Sequence, residues 1–230
     1  MSMNLIIDVG NTRVKTAVFE NDRVVEVAFF DKKRILSEIK KIVKKFSISA
    51  GIMSSVALIS EIKKNKISKI VTLNIVSHST LFPFENLYKT PKTLGVDRLV
   101  LATNAVFKYP NKNILVIDAG TCITFDLVNS KKQYIGGAIS PGLEMRFKAL
   151  NHYTANLPKL SSKDLLSFIG KSTEESINSG VVNGVVQEIE GVINQYKKKY
   201  LDLTVVLTGG DTNFLSKQLK SSIFANQNFL

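Results

Sequence analysis

An apolar run that ends in Asp-x-Gly, followed closely by a hydroxyl-bearing residue, occurs twice in this chain, and the pair constrains the fold more than any other feature. The first copy is Leu5-Ile6-Ile7-Asp8-Val9-Gly10-Asn11-Thr12; the second is Leu115-Val116-Ile117-Asp118-Ala119-Gly120-Thr121. Asp8 and Asp118 stand 110 positions apart in a chain of 230 residues. That period is too long for a solenoid unit, so it points to two domains of similar build. A third run, Val205-Val206-Leu207-Thr208-Gly209-Gly210-Asp211, has the same character. Glycine at the end of a buried strand lets backbone approach a phosphate closely, and a carboxylate beside it can hold a metal ion. The repeat predicts a nucleotide held between two halves.

The remaining pattern agrees with an α/β chain. Residues 4–9, 13–19 and 23–30 read as three strands, with turn signals at Gly10-Asn11 and Asn21-Asp22. A helix follows with Ile35, Ile39, Ile42, Val43 and Phe46 on one face, then a strand at 48–54, a helix near 57–65 and a strand near 69–76. The second half begins the same way, with strands at 113–118, 121–128 and 132–138. It continues with a helix at about 142–151 and a long one at about 173–198. Ser172 and Glu175 have capping-box spacing, and Ile177, Val181, Val185, Ile189, Val192 and Tyr196 form the apolar stripe of that long helix. Pro110 and Asn111 interrupt the pattern, which sets the expected boundary between residues 1–111 and 112–230.

Composition excludes several classes. No apolar run approaches the roughly 20 residues of a membrane span, and the N-terminus enters a strand without a leader pattern, so a cytoplasmic protein is expected. Cys122 is the single cysteine, and His78 and His152 are the two histidines, which excludes internal disulfides and argues against a zinc cluster. The net charge of +12 rests mainly on lysine. Lys40, Lys41, Lys44 and Lys45, then Lys63, Lys64 and Lys66, then Lys197, Lys198 and Lys199 cluster where helices face water, so solvated faces are preferred over a nucleic-acid surface.

Two segments carry candidate chemistry. In Asp8-Val9-Gly10-Asn11-Thr12-Arg13-Val14-Lys15 the turn exposes backbone N–H groups, Thr12 adds a hydroxyl, and Lys15 returns an ammonium toward the same place. Asp8 offers the oxygen a magnesium–phosphate complex needs. An ordinary hairpin is the bland alternative, and the second copy of the motif weighs against it. In Tyr88-Lys89-Thr90-Pro91-Lys92-Thr93-Leu94-Gly95-Val96-Asp97-Arg98, Gly95 permits a close backbone bend, Asp97 could accept a proton, and Arg98 could clamp a carboxylate. On these residues alone the preferred reading of the Asp-Arg pair is a cap for the helix expected from Leu99 to Phe107.

These segments, in order with Asp118-Ala119-Gly120-Thr121, Gly136-Gly137-Ala138-Ile139-Ser140-Pro141-Gly142, Thr154-Ala155-Asn156-Leu157-Pro158, Gly170 to Ile177, and Thr208-Gly209-Gly210, resemble type III pantothenate kinase across almost the whole chain. The resemblance implies two similar ribonuclease H-like (actin-like ATPase) domains with mixed sheets flanked by helices and an ATP cleft between them. It implies ATP-dependent phosphorylation of pantothenate to 4′-phosphopantothenate, the first step of coenzyme A biosynthesis, with Asp97 as general base. Asp8, Val9, Gly10, Asn11, Thr12, Arg13, Val14 and Lys15 would cradle the ATP phosphates, Asp8 near Mg²⁺, and Thr121 would also contact ATP. Tyr88, Gly95, Val96, Asp97 and Arg98 would bind pantothenate, Arg98 at its carboxylate. Asp118 matches the ligand of a monovalent cation, K⁺ or NH₄⁺. Thr173 matches a pantothenate contact supplied across a homodimer interface. Gly180, Gly184 and Gly191 interrupt the long helix at a cost of up to about 1 kcal/mol each; close approach of a partner helix and tight packing within one subunit both account for them. The family usually continues past the segment resembling Ser222 to Leu230 with a further helical stretch, which this sequence lacks. The competing readings are a non-catalytic relative acting as a transcriptional accessory factor, which has no need of Asp97, and a kinase or phosphatase of the same superfamily with another substrate.

Overall fold

The computed structural model describes residues 3–57, 59–163, 167–227 and 229. They form two compact units, Met1–Phe82 with Thr90–Val100, and Pro83–Lys89 with Leu101–Leu230.

In the first unit, alternation of apolar residues produces β1 (Met3–Val9), β2 (Val14–Glu20) and β3 (Arg23–Phe30). Leu5, Ile7, Val9, Val14 and Val18 all point to one buried face. Asn21 turns the second hairpin with φ 53. The first turn closes when the Gly10 N–H donates to the Arg13 carbonyl at 3.1 Å, with no left-handed residue at Gly10 or Asn11. α1 (Ile35–Lys45) lays Ile35, Ile39 and Ile42 on the sheet, and β4 (Ile48–Ser55) returns parallel to β1.

Two elements depart from the sequence pattern for visible reasons. The helix expected at 57–65 is α2 (Glu61–Ser68), because the Val56 and Ala57 N–H groups still bond the Val9 carbonyl and Ser60 supplies the N-cap. The strand expected at 69–76 is reduced to β5 (Leu73–Ile75), since Lys69, Ile70 and Val71 donate back to the end of α2. The sheet order is β3-β2-β1-β4-β5.

The second unit adds β6 (Glu85–Asn86), most of α3 (Val96–Lys108), β7 (Asn113–Ala119), β8 (Cys122–Val128), β9 (Gln133–Pro141) and α4 (Leu143–His152). It continues with α5 (Thr173–Lys199), β10 (Leu203–Thr208), the single turn α6 (Thr212–Leu215) and β11 (Phe224–Ala225). The order β11-β10-β7-β8-β9-β6 repeats that of the first unit, with β6 appended at one edge. β7, β8 and β9 are antiparallel, and β10 and β11 are parallel to β7, as β4 and β5 are to β1. The repeat seen in the sequence is thus a repeat of topology.

α5 covers this sheet with Ile177, Val181, Val182, Val185, Val186, Ile189 and Ile193, while Val192 and Tyr196 pack at the margin. Ser172 caps α5 by accepting the Glu175 N–H, and the Glu175 carboxylate receives the Lys171 N–H at 2.7 Å. Among the described residues no helix is long and apolar enough to cross a membrane.

Candidate active site

Asp8 lies at the end of β1, between Lys15 on antiparallel β2 and Ser54 on parallel β4. The Ser54 hydroxyl, 7% exposed, donates to Asp8 Oδ1 at 2.9 Å. Burial pushes the Asp8 carboxyl up to about 6; the Ser54 bond opposes this, the Asp97 carboxyl adds to it, and Lys15 opposes it more weakly. Asp8, Lys15 and Asp97, expected at one site from two separate motifs, are therefore electrostatic neighbours in the first unit.

The turn after Asp8 has mixed character. Val9 and Val14 are core residues at 0% exposure, so they can offer only backbone, whereas Asn11, Thr12 and Arg13 are exposed. The Arg13 guanidinium lies 4.6 Å from the centre of the Phe29 ring. Lys32 donates to the Asn11 carbonyl at 2.6 Å. Sequence reasoning missed Lys32 and Ser54, since each reaches the turn from a different element.

α3 begins at Val96, three residues before the expected start, so Asp97 and Arg98 sit in its first turn. Asp97 Oδ1 accepts the Arg98 N–H at 2.8 Å. This local bond explains Gly95, where a Cβ would overlap the same Oδ1. Arg98 is only 4% exposed. A carboxylate in the first helical turn is favoured by the helix dipole.

In the second unit Asp118 ends β7, between Thr124 on β8 and Thr208 on parallel β10. Its position repeats that of Asp8, including a buried hydroxyl residue on the parallel neighbour, Thr208 at 2% exposure. Gly209 has φ +96, and a Cβ there would overlap both the Asp118 carboxyl and the Ala119 carbonyl. The Asp211 N–H donates to that carbonyl at 3.0 Å. Burial, aided by Glu144, pushes the Asp211 carboxyl up to about 6. Thr121 is exposed, and its carbonyl accepts the Gly142 N–H at 3.1 Å.

Tyr88 follows β6. Its N–H donates to Asn86 Oδ1 at 3.0 Å, and its ring meets Tyr134 edge-on at 6.1 Å. Gly136, at φ +122, leaves room for that ring. Tyr134 is fully buried and donates to Asp126 Oδ1 at 2.5 Å. Three strand spacings, roughly 14 Å, separate β6 from β7, so Tyr88 and Asp118 are not neighbours on the sheet. Thr173 opens α5 on the rim of a cavity of about 1010 Å³ that Arg146, Leu157, Ile177 and Gly180 also line.

Strands that end in acidic turns, arranged twice in this topology, define the actin-like and sugar-kinase ATPase fold. A protein from Campylobacter jejuni described as a Baf family transcriptional activator has it, with a TM-score of 0.63 at 20% identity over 98% of this chain and 92% of its own. So does the glucokinase of an Antarctic psychrotroph, with a TM-score of 0.50 at 11% identity over 95% and 86%. Within that class, the family model described as type III pantothenate kinase matches residues 4–195. The type III pantothenate kinase of Christiangramia forsetii is 50% identical over 229 residues, covering 99% of this chain and 94% of that protein. The chain belongs to the type III pantothenate kinase family.

Because the Asp8 pKa is higher in the folded chain than in the unfolded one, the stability its proton confers is present at low pH. It is lost as pH rises from about 4 through about 6. In urea denaturation of ligand-free protein, Asp8→Asn is expected to gain about 2 kcal/mol on the wild type between pH 4 and 7.5. Parallel pH profiles for the two proteins would contradict this.

Proposed function

We propose that this chain transfers the γ-phosphoryl group of ATP to pantothenate, giving 4′-phosphopantothenate and ADP in the first step of coenzyme A synthesis. The observation that carries this reading is family membership along nearly the full chain, joined to a carboxyl pair, Asp8 and Asp97, in one unit. The accessory-factor reading has less support: Asp97 is retained, and the Campylobacter likeness, at 20% identity, speaks for fold alone.

In this reading Asp97 accepts the proton of the pantothenate hydroxyl as its oxygen bonds the γ-phosphorus and ADP departs. The Arg98 N–H bond to Oδ1 aims the carboxyl, and the buried Arg98 guanidinium pairs with the substrate carboxylate. Gly95 and Val96 line the same substrate, and Tyr88 is proposed as a further pantothenate contact. The backbone of residues 8–15, with Thr12, Arg13 and Lys15, holds the phosphates, and Thr121 is proposed as a further ATP contact. Asp8 suits a site where magnesium arrives with ATP: its carboxyl is buried near the Asp97 carboxyl, and a divalent cation there would offset both charges. Magnesium would neutralise phosphate charge there. Asp118 and the Ala119 carbonyl, which both crowd the backbone of Gly209, offer oxygen donors of the kind that would suit a hard monovalent cation.

Homodimer formation has support of its own. A Cβ at Gly180, Gly184 or Gly191 would meet nothing within 4 Å among the described residues. Packing among those residues therefore gives no reason for glycine at these positions of α5, whereas approach of a second α5 would. Thr173, exposed at the start of that helix, would complete the partner's substrate site.

ADP release measured with and without pantothenate tests the reaction. Asp97→Asn is expected to lose on the order of 10²-fold or more in turnover while still binding ATP; near-normal turnover would remove Asp97 as base. Arg98→Ala, in the same assay, is expected to raise KM for pantothenate well above any change for ATP. Potassium or ammonium should support turnover and raise the melting temperature where sodium does not. An Asp118→Ala variant that kept both responses would place the cation elsewhere. Mixed Asp97→Asn and Thr173→Ala subunits should regain activity that neither has alone, and no recovery would argue against a shared site.

A further inference from the structure

His78 belongs to neither acidic motif, yet it reaches the turn that carries Asp97. Its Nε2 lies 2.8 Å from the Leu94 carbonyl oxygen, immediately before Gly95. A carbonyl only accepts, so Nε2 carries the hydrogen, and it does so in both the Nε2–H tautomer and the imidazolium.

The imidazole is mounted on a self-bonded turn. The Thr80 N–H donates to the Ser77 carbonyl at 3.1 Å, the Ser77 N–H donates to Thr80 Oγ1 at 3.0 Å, and the Ser77 and Ser79 hydroxyls lie 2.8 Å apart. That turn is tied to β4 by the Val76 N–H, which donates to the Met53 carbonyl at 2.9 Å. The next residue of β4 is Ser54, whose hydroxyl holds Asp8. The end of β4 therefore grips Asp8 directly and, through Val76 and His78, grips Leu94.

Beyond Leu94 the chain has little slack. Leu94 is 1% exposed, the Gly95 carbonyl accepts the Leu99 N–H at 3.3 Å, and Gly95 is pressed against Asp97 Oδ1. A shift at the Leu94 carbonyl passes straight into the first turn of α3.

We propose that His78 is a positioning residue: its Nε2–H holds the Leu94 carbonyl and so sets where Asp97 and Arg98 stand relative to Asp8. The bond itself is independent of the reaction; its kinetic consequence rests on the reading of Asp97 as the base.

The test compares full-length wild type, His78→Ala and His78→Gln, whose side-chain amide keeps a donor at similar reach. Amide exchange at Arg98 and Leu99 is expected to quicken by about fivefold in His78→Ala, the worth of one net hydrogen bond, and to recover in His78→Gln. Turnover at saturating pantothenate should fall on the order of tenfold in the alanine variant and recover in the glutamine one, with KM for ATP little changed. Unchanged exchange and turnover in His78→Ala, with an active wild type, would overturn the proposal. A wild type without pantothenate-dependent ADP release would instead sink the kinase reading, and the exchange data would still decide the role of His78. Should His78→Ala fail to fold, His78→Asn, whose amide falls short of Leu94, replaces it. Equal exchange in the Asn and Gln variants would then count against His78.

Discussion

Holding the Asp8 carboxyl away from water beside a second carboxyl is the constraint on which the first unit is arranged. Ionisation there is opposed by burial and by Asp97, and it is favoured by the Ser54 hydroxyl and Lys15. The balance, with burial the largest cause, leaves the carboxyl at about 6, so keeping it ionised at neutral pH costs the folded chain stability.

The second unit places Asp118 by the same topology with different parts. Asp118 has Thr208 where Asp8 has Ser54, each on the parallel neighbouring strand. What differs is the turn that follows the neighbour. β10 runs into Gly209 at φ +96, whose bare backbone lies against the Asp118 carboxyl, and Asp211 closes the corner on the Ala119 carbonyl. β4 runs instead into Val56 and Ala57, whose N–H groups donate to the Val9 carbonyl of β1, while the Ser55 hydroxyl donates to the Ala57 carbonyl. One strand order thus supports two acidic corners of unequal shape, as expected if they serve different charges.

Period-2 and period-3.6 patterning made most of the fold legible before any coordinates. β1 to β4, β7 to β9, α4 and α5 lie within a few residues of their expected bounds, and α1 buries three residues of its expected face, because each element buries at least one apolar face and β7 buries both. The misses share a cause. α2 started late because Val56 and Ala57 were recruited by the Val9 carbonyl, and α3 started early because Asp97 satisfied an amide of its own first turn. β6 and β11, with two residues each, exist only through pairing with distant strands. Site legibility divides along the same line. Asp8, Asp97 and Asp118 announce themselves by local motif, whereas Ser54, Lys32, His78 and the Tyr134–Asp126 pair act through contacts that only the folded chain creates. Lys41, Lys45 and Lys64 pair with Glu38, Glu26 and Glu61 at the surface, as solvated faces do.

Tyr88 shows why a buried polar pair can matter to a residue that it does not touch with its polar atoms. A two-residue strand such as β6 has too few backbone bonds to fix an aromatic side chain by itself. The ring is located instead by the edge of Tyr134 and the open face of Gly136. Tyr134 in turn cannot rotate without stranding the Asp126 carboxyl, which is fully buried and also accepts the Thr124 hydroxyl at 2.9 Å. Breaking that bond inside the sheet would cost more than the net worth of a hydrogen bond, since it leaves a buried acceptor short of a donor. The energetic weight that holds Tyr88 in place is therefore stored one layer behind it. Phosphoryl transfer, which depends chiefly on positioning and charge, gains from supports of that kind more than from additional groups in direct contact with substrate.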